Sequence, residues 1–406
     1  MSKTIIIIGA GLAGLSAAFQ AAENGCNVKL VSSLPSERAQ SVMAEGGINA
    51  ALNTKDENDS PEEHFTDTIK AACGLADPNA VWGMTQAAPE LVHWLLKLGV
   101  KFNMSGYDDV DLRNFGGQKK KRTAFAQSDT GKQIMTAMID AVRRKEASGM
   151  VERFSHHSFL TLRLCGNICC GCVIRDEYSQ ETVELPGDAV IVATGGMHGL
   201  FGNTTGSLSN TGEVTAELFR LGVPLANGEM IQYHPTTVKC GGKRMLISEA
   251  ARGEGGRLFA MKDGKQWYFM EEKYPELGNL MPRDITAREI WKVSHESEVF
   301  LDMTEISEEI ISNKLSGLAD DCMTYLHKDI RKEPVSVLPG IHYFMGGILV
   351  DEQHRTPIQN LYAAGECCAQ YHGANRLGGN SLLGALYGGR VAAKSACEQA
   401  DVVDLS

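Results

Sequence analysis

The stretch "IIIIGAGLAG", residues 5–14, constrains this chain more than any other. Four successive isoleucines suit a strand buried on both faces. Glycines then follow at positions 9, 11 and 14 in G-x-G-x-x-G spacing, opening a helical run to Ala22. Asn27–Val31 reads as a second strand, so the segment predicts a βαβ unit. Gly9 allows the tight turn, Gly11 lets the backbone approach a pyrophosphate, and Gly14 permits close helix–strand packing. The helix N-terminus offers free N–H groups and a positive dipole end to the phosphates. An acid for the ribose is expected after the second strand, but Ser32 and Ser33 stand there. The simple NAD fingerprint is therefore incomplete.

Two later apolar strands point to a flavin dinucleotide instead. "DAVIVATGG" (residues 188–196) closes on small residues, as suits a backbone beside a cofactor. "TPIQNLYAAGE" (residues 356–366) ends in Gly365 and in Glu366, an acid placed for sugar-alcohol hydroxyls. Between them, from "NGEMIQYHPT" to about residue 335, the βα pattern gives way to a mixture of helices and loops, read as an inserted domain. The predicted organisation is residues 1–228 as the first part of a dinucleotide domain, 229–337 as a cap, and 338–406 as the second part. The last helix is expected from Ser381 to about Gln399 with Asn380 as its N-cap.

A chain of 406 residues is long enough for two or three domains. Its net charge of −11 argues against nucleic acid or an anionic membrane as partner. No apolar run approaches the roughly 18 residues of a membrane span. The N-terminus carries one Lys and an apolar stretch, like a secretory signal, but its glycines are spaced for another purpose. Without export, the eleven cysteines read as thiols in a reducing compartment, and the expected location is the cytoplasm.

Several basic groups stand in glycine-rich or proline-flanked loops: His234, Arg283, His342 and Arg376, with Ser248, Glu249 and Arg252 in "SEAARGEGG". Arginines in such loops suit bidentate binding of carboxylates. In order along the chain, "AEGGINAAL", "ATGG", "NTGE", "QYHPT", "SEAARGEGG", "PRDI", "HYFMGG", "AAGE" and "HGANRLGGNSLLGAL" resemble flavoprotein subunits of succinate dehydrogenase and fumarate reductase, with L-aspartate oxidase a close relative. The resemblance spans nearly the whole chain. It implies an α/β fold: a doubly wound, Rossmann-like FAD-binding domain with an inserted α+β capping domain and a dicarboxylate site between them. FAD contacts are implied for Gly9, Gly11, Gly14, Ser32, Gln40, Ser41, Gly46, Gly47, Ala193, Thr194, Gly195, Glu213, Glu366, Ser381 and Leu382. Arg376 and His342 would clamp one substrate carboxylate, and His234 and Ser248 the other. Hydride would pass between flavin N5 and one alkene carbon. Arg283 would protonate the other carbon, recharged through Glu249 and Arg252, so that no standing neutral arginine is needed. The last helix would turn its positive end to reduced flavin.

Three departures sharpen this expectation. Gln40 stands where respiratory members carry the histidine that bonds FAD, which implies non-covalent FAD and a bias toward fumarate reduction. The chain stops after the last dinucleotide-domain helix, so the C-terminal helical domain is expected to be absent. The electron donor, an iron–sulfur or other redox protein, is left open, as is peripheral attachment to a membrane through it. Phe115 stands where aspartate oxidases carry an acid for the substrate ammonium, which favours fumarate or succinate over aspartate. An aspartate oxidase, a reductase of another small unsaturated acid, and a non-catalytic FAD-binding scaffold are the competing readings.

The stretch "LCGNICCGC" (residues 164–172) raises a metal question, because Cys165, Cys169 and Cys172 have C-x3-C-x2-C spacing. The alternation of residues 160–174 predicts a β-hairpin turning at Gly166-Asn167. Strand periodicity then puts Cys169 and Cys172 on opposite faces, and no metal site is expected.

Overall fold

The computed structural model describes residues 2–106 and 109–400; the last six residues of the expected 338–406 segment lie outside the described residues. Strand Thr4–Ile8 sits at the centre of a five-stranded parallel sheet. Its neighbours are Ala189–Val192 and Asn27–Ser32, and the outer strands are Leu361–Ala363 and Val151–Ser155. Both faces of the central strand are covered, which is why it reads as unbroken isoleucine. Helix Leu12–Glu23 packs on one face against the final helix, Asn380–Gln399.

The glycines make these approaches possible. Gly9 has φ +110°, and a Cβ there would overlap the Ala193 carbonyl on the neighbouring strand. A Cβ on Gly14 would strike the Gly9 carbonyl, so helix and turn could no longer touch. Gly389 on the final helix likewise meets the backbone of Ala13, and Ser16 Oγ donates to the Leu386 carbonyl at 2.6 Å.

The region expected to mix helices and loops contains much more sheet than that. Strand Ile231–Cys240 pairs with Lys243–Leu246 and with Leu338–Phe344. Strands Arg257–Lys262, Lys265–Trp267, Val299–Asp302 and Val335–Ser336 form a separate antiparallel sheet. Short strands broken by bulges and loops carry little periodic signal, which is why the sequence hid them. A second apolar cluster, including Ile247, Leu258, Ile290 and Leu301, lies apart from the core beneath the parallel sheet.

Two local expectations need correction. The final helix begins at Asn380, and its N-cap is Gly379 with φ +86°. Asn380 is not the cap because its side chain is used below: Asn49 Nδ2 donates to its Oδ1 at 2.7 Å, and its Nδ2 donates to Thr68 Oγ1 at 3.0 Å. In the cysteine hairpin, His157–Cys165 pairs with Ile168–Asp176 around the expected turn. Leu164 faces Cys169 while Arg163 faces Gly171, so Cys170 is the extra residue of a bulge. That one-residue shift brings Cys169 and Cys172 to the same face, both fully buried in one apolar cluster. Among the described residues no group of three or more His, Cys, Asp or Glu side chains is placed to hold a metal.

Gly9→Ala should destabilise the fold by more than about 2 kcal/mol, from positive φ plus backbone overlap. Gly25→Ala, also at positive φ but with nothing near its Cβ, should cost about 1 kcal/mol. Urea unfolding of the two variants checks the difference.

Candidate functional site

A cavity of about 830 Å³ runs from the glycine turn at the end of the central strand to the strands and helices of residues 231–345. Of the expected FAD contacts, all but Gly14 line it: Gly9, Gly11, Ser32, Gln40, Ser41, Gly46, Gly47, Ala193, Thr194, Gly195, Glu213, Glu366, Ser381 and Leu382. Gly14 packs against the turn from behind. The helices 12–23 and 380–399 both begin at this cavity, so their unpaired N–H groups open onto it.

The donors and shapes fit a dinucleotide. No side chain caps the helix at Gly11, and only Ser41 Oγ approaches, accepting from Leu12 N at 3.3 Å. Ser32 Oγ and Gln40 Oε1 are buried without a protein partner. A Cβ at Gly46 would lie 3.1 Å from the Phe115 ring, so a side chain there would need that ring to shift. Glu366 Oε1 is held by His198 Nε2 and by the Phe344 N–H, both at 3.0 Å, which fixes its carboxylate at the cavity wall.

At the other end of the cavity stand His234, Ser248, Glu249, Arg283, His342, Arg376 and Phe115. Arg252 does not line the cavity; it lies behind Glu249, with 3.4 Å between Nη2 and Oε1. Arg283 donates to Glu249 Oε2 from Nε at 2.8 Å and pairs with it through Nη2 at 2.7 Å. The Gly116 N–H donates to Glu249 Oε1 at 2.8 Å. Burial alone would push the Glu249 carboxyl up, but Arg283 and Arg252 hold it below the usual carboxylate range. Burial and Arg283 work against the charge of Arg252, whose guanidinium is pulled below its ordinary value although Glu249 opposes the change.

Burial, with Arg283 next in effect, brings Arg376 down to about 9, and its guanidinium lies 4.2 Å over the Tyr343 ring. Arg376 Nε is buried without a partner. His234 and His342 meet at 5.0 Å between ring centroids, and burial drives both far below the ordinary imidazole value, so both are neutral. His342 Nδ1 lies 2.7 Å from Thr205 Oγ1. With the hydroxyl as donor, His342 Nε2 keeps its proton and is free to donate. Ser248 caps the short helix Glu249–Gly253 and accepts from Ala250 N at 3.4 Å.

Sequence reasoning missed four neighbours. Gln232 Oε1 accepts from Arg283 Nη1 at 3.1 Å, while its Nε2 donates to the Arg376 carbonyl at 2.7 Å. It lies two residues before His234 on the same strand, so period-2 reading of "QYH" could have found it. Thr205 and Tyr343 carry no such signal. Nor does Glu45, inside "AEGG", whose Oε2 is buried and unpartnered. Burial first, then Asp321, pushes the Glu45 carboxyl up to about 8; Arg113 opposes and Asp129 adds.

Against known proteins, the FAD binding domain family matches residues 4–382. The succinate dehydrogenase flavoprotein subunit of Bacillus subtilis is 44% identical over 100% of this chain and 70% of its own length. The fumarate reductase flavoprotein subunit of Haemophilus influenzae is 34% identical over 98% of this chain and 68% of its own. A solved structure of E. coli quinol fumarate reductase superimposes with a TM-score of 0.91 at 31% identity, covering 98% of this chain and 70% of that one.

The Glu45 proton gives a stability signature. The folded protein holds it to higher pH than the unfolded chain, so its contribution to stability falls as pH rises from 4.5 to about 8. Glu45→Gln should flatten that fall, which amounts to at most about 1.4 kcal/mol per pH unit. Denaturant unfolding of both proteins at pH 5 and pH 8 reads the difference.

Proposed function

The chain belongs to the family of succinate dehydrogenase and fumarate reductase flavoprotein subunits and is an FAD-dependent oxidoreductase; from that premise we propose that it interconverts fumarate and succinate, biased toward fumarate reduction. The observation that carries the reading is the joint presence, in one cavity, of Arg376, His342, His234, Ser248 and the Arg283–Glu249 pair beside the dinucleotide end. Bound FAD would supply hydride transfer at its N5. Gly9, Gly11, Ser32 and Ser41 would hold its phosphates and sugar, and Gly46, Gly47, Ser381 and Leu382 its ring system. Gln40, where relatives that bond FAD would need histidine, supports non-covalent binding.

The chain's own groups then divide the remaining work. Arg376 and the Nε2 proton of His342 take one carboxylate of the substrate, and His234 with the Ser248 hydroxyl takes the other. A neutral imidazole at His342 suits this task because its Nε2–H donates without adding to an already cationic pocket. Arg283 delivers a proton to the substrate carbon. Glu249 returns one to Arg283 from Arg252, along contacts of 2.7 and 3.4 Å. Water is a poor competitor here, since all three side chains are buried. The segments 1–228 and 338–406 act as the FAD-binding domain, with 229–337 as the cap that closes the substrate end. The separate apolar cluster drawn almost wholly from residues 247–337 supports that division.

Phe115 lines the cavity and is buried, so a substrate ammonium beside it would meet carbon rather than a carboxylate. That supports a dicarboxylate without an amino group. The electrons would come from a separate redox protein, an iron–sulfur protein being the class we favour. No described helix is long and apolar enough to cross a membrane.

The purified protein should release a yellow cofactor on acid precipitation. Reduced anaerobically with dithionite, it should be reoxidised by fumarate; a flavin that stays reduced overturns the reading. Arg283→Ala should keep FAD and lose turnover by at least about 10²-fold. Retained turnover in that variant would refute the role of Arg283.

A further inference from the structure

We propose that Cys26 and Cys397 form a redox-modification site: a thiol pair that a hydroperoxide converts into a reversible disulfide, fastening the final helix to the βαβ unit. The two sulfurs are 2.8 Å apart, closer than van der Waals contact and short of the roughly 2.05 Å of a bond. They belong to elements 371 positions apart, so chain proximity does not account for the meeting. Cys26 lies just before strand Asn27–Ser32, and Cys397 in the last turn of helix Asn380–Gln399. The backbone holds both: Cys26 N donates to the Ala21 carbonyl at 3.0 Å, and Lys3 Nζ donates to the Cys397 carbonyl at 2.8 Å.

The pair is also reachable. Cys26 is buried, whereas Cys397 is half-buried and opens on a surface groove of about 740 Å³ shared with Gln20, Asn24, Arg390 and Lys394. A small oxidant therefore meets Cys397 first, with Cys26 behind it as the resolving thiol. Burial first, then Cys26, raises the Cys397 thiol, and Lys3 acts in the opposite sense, so Cys397 rests as a thiol.

The chemistry balances with hydrogen peroxide as the oxidant. Cys397 sulfur attacks one peroxide oxygen; an S–O bond forms, the O–O bond breaks, and the leaving hydroxide takes the thiol proton as water. Cys26 sulfur then attacks the sulfenyl sulfur of Cys397. The S–S bond forms, the S–O bond breaks, and the second hydroxide leaves with the Cys26 proton. Two thiols lose two electrons in total, and one peroxide becomes two waters.

The location gives the bond a consequence. The bond would join the last turn of helix 380–399 to the turn that follows helix 12–23, and both helices begin at the cofactor cavity. A covalent tie closing so long a loop restricts the unfolded chain and keeps these two helices together.

The test is brief treatment of the FAD-loaded protein with hydrogen peroxide, then alkylation of free thiols and non-reducing peptide mapping. The expected product is a Cys26–Cys397 linked peptide that dithiothreitol reverses, with a higher thermal midpoint than the reduced protein. Cys26→Ser should lose the link and leave a sulfenic acid at Cys397 that dimedone traps. Cys165 and Cys170, whose sulfurs also lie 2.8 Å apart, serve as the internal comparison. A Cys165–Cys170 link formed while Cys26 and Cys397 stay free would overturn the proposal, as would further oxidation of Cys397 without linkage.

Discussion

The carboxylate of Glu249 is the constraint on which the substrate end depends. A fully buried anion is tolerated only with close partners, and this one has three: Arg283, Arg252 and the Gly116 N–H. Those partners come from separate stretches of chain. The Gly116 loop belongs to the first third of the sequence, Arg252 to the short helix after Ser248, and Arg283 to the start of helix Arg283–Val293. Gln232 extends the array to strand Ile231–Cys240 and to the Arg376 loop. Removing one member of such a cluster leaves an uncompensated buried charge, at a cost of about 3–5 kcal/mol. The same array is thus the structural joint of the cavity and, in the proposed mechanism, its proton route.

The dinucleotide end rests on a different principle, close backbone approach. Gly9, Gly14 and Gly389 let a strand, a turn and two helices meet where any Cβ would collide. The result brings two helix N-termini to one cavity wall, a favourable place for anionic groups although the whole chain carries a charge of −11. The basic and imidazole groups at the far end, with their charges displaced by burial, offer a second place for anions. That arrangement suits the proposed dinucleotide at one end and the proposed small dicarboxylate at the other.

What the sequence made legible were features with a strong local signature. Ile5–Ile8 could only be a covered strand, and the glycine spacing after it has few other uses. The ordered motifs marked the residues that meet at the cavity, including His234, Arg283, His342 and Arg376 across more than a hundred positions. Features set by tertiary context stayed hidden. The bulge at Cys170 reverses the facing of Cys169 relative to Cys172, and nothing in "NICCGC" marks it. Asn380 looks like a cap until its buried partners Asn49 and Thr68 are known. Arg252 sits behind Glu249 rather than in the cavity, and Glu45 owes its shifted carboxyl to burial and to Asp321, more than 270 positions away.

The most direct measurement of the central claim is the steady-state kinetics of Glu249→Gln with fumarate. Glutamine nearly preserves the shape of the side chain but cannot carry a proton between Arg252 and Arg283. Unchanged FAD content, a KM within a few fold of the parent, and a kcat lower by at least about 10²-fold are expected. A kcat within twofold of the parent, with FAD bound, would contradict that claim.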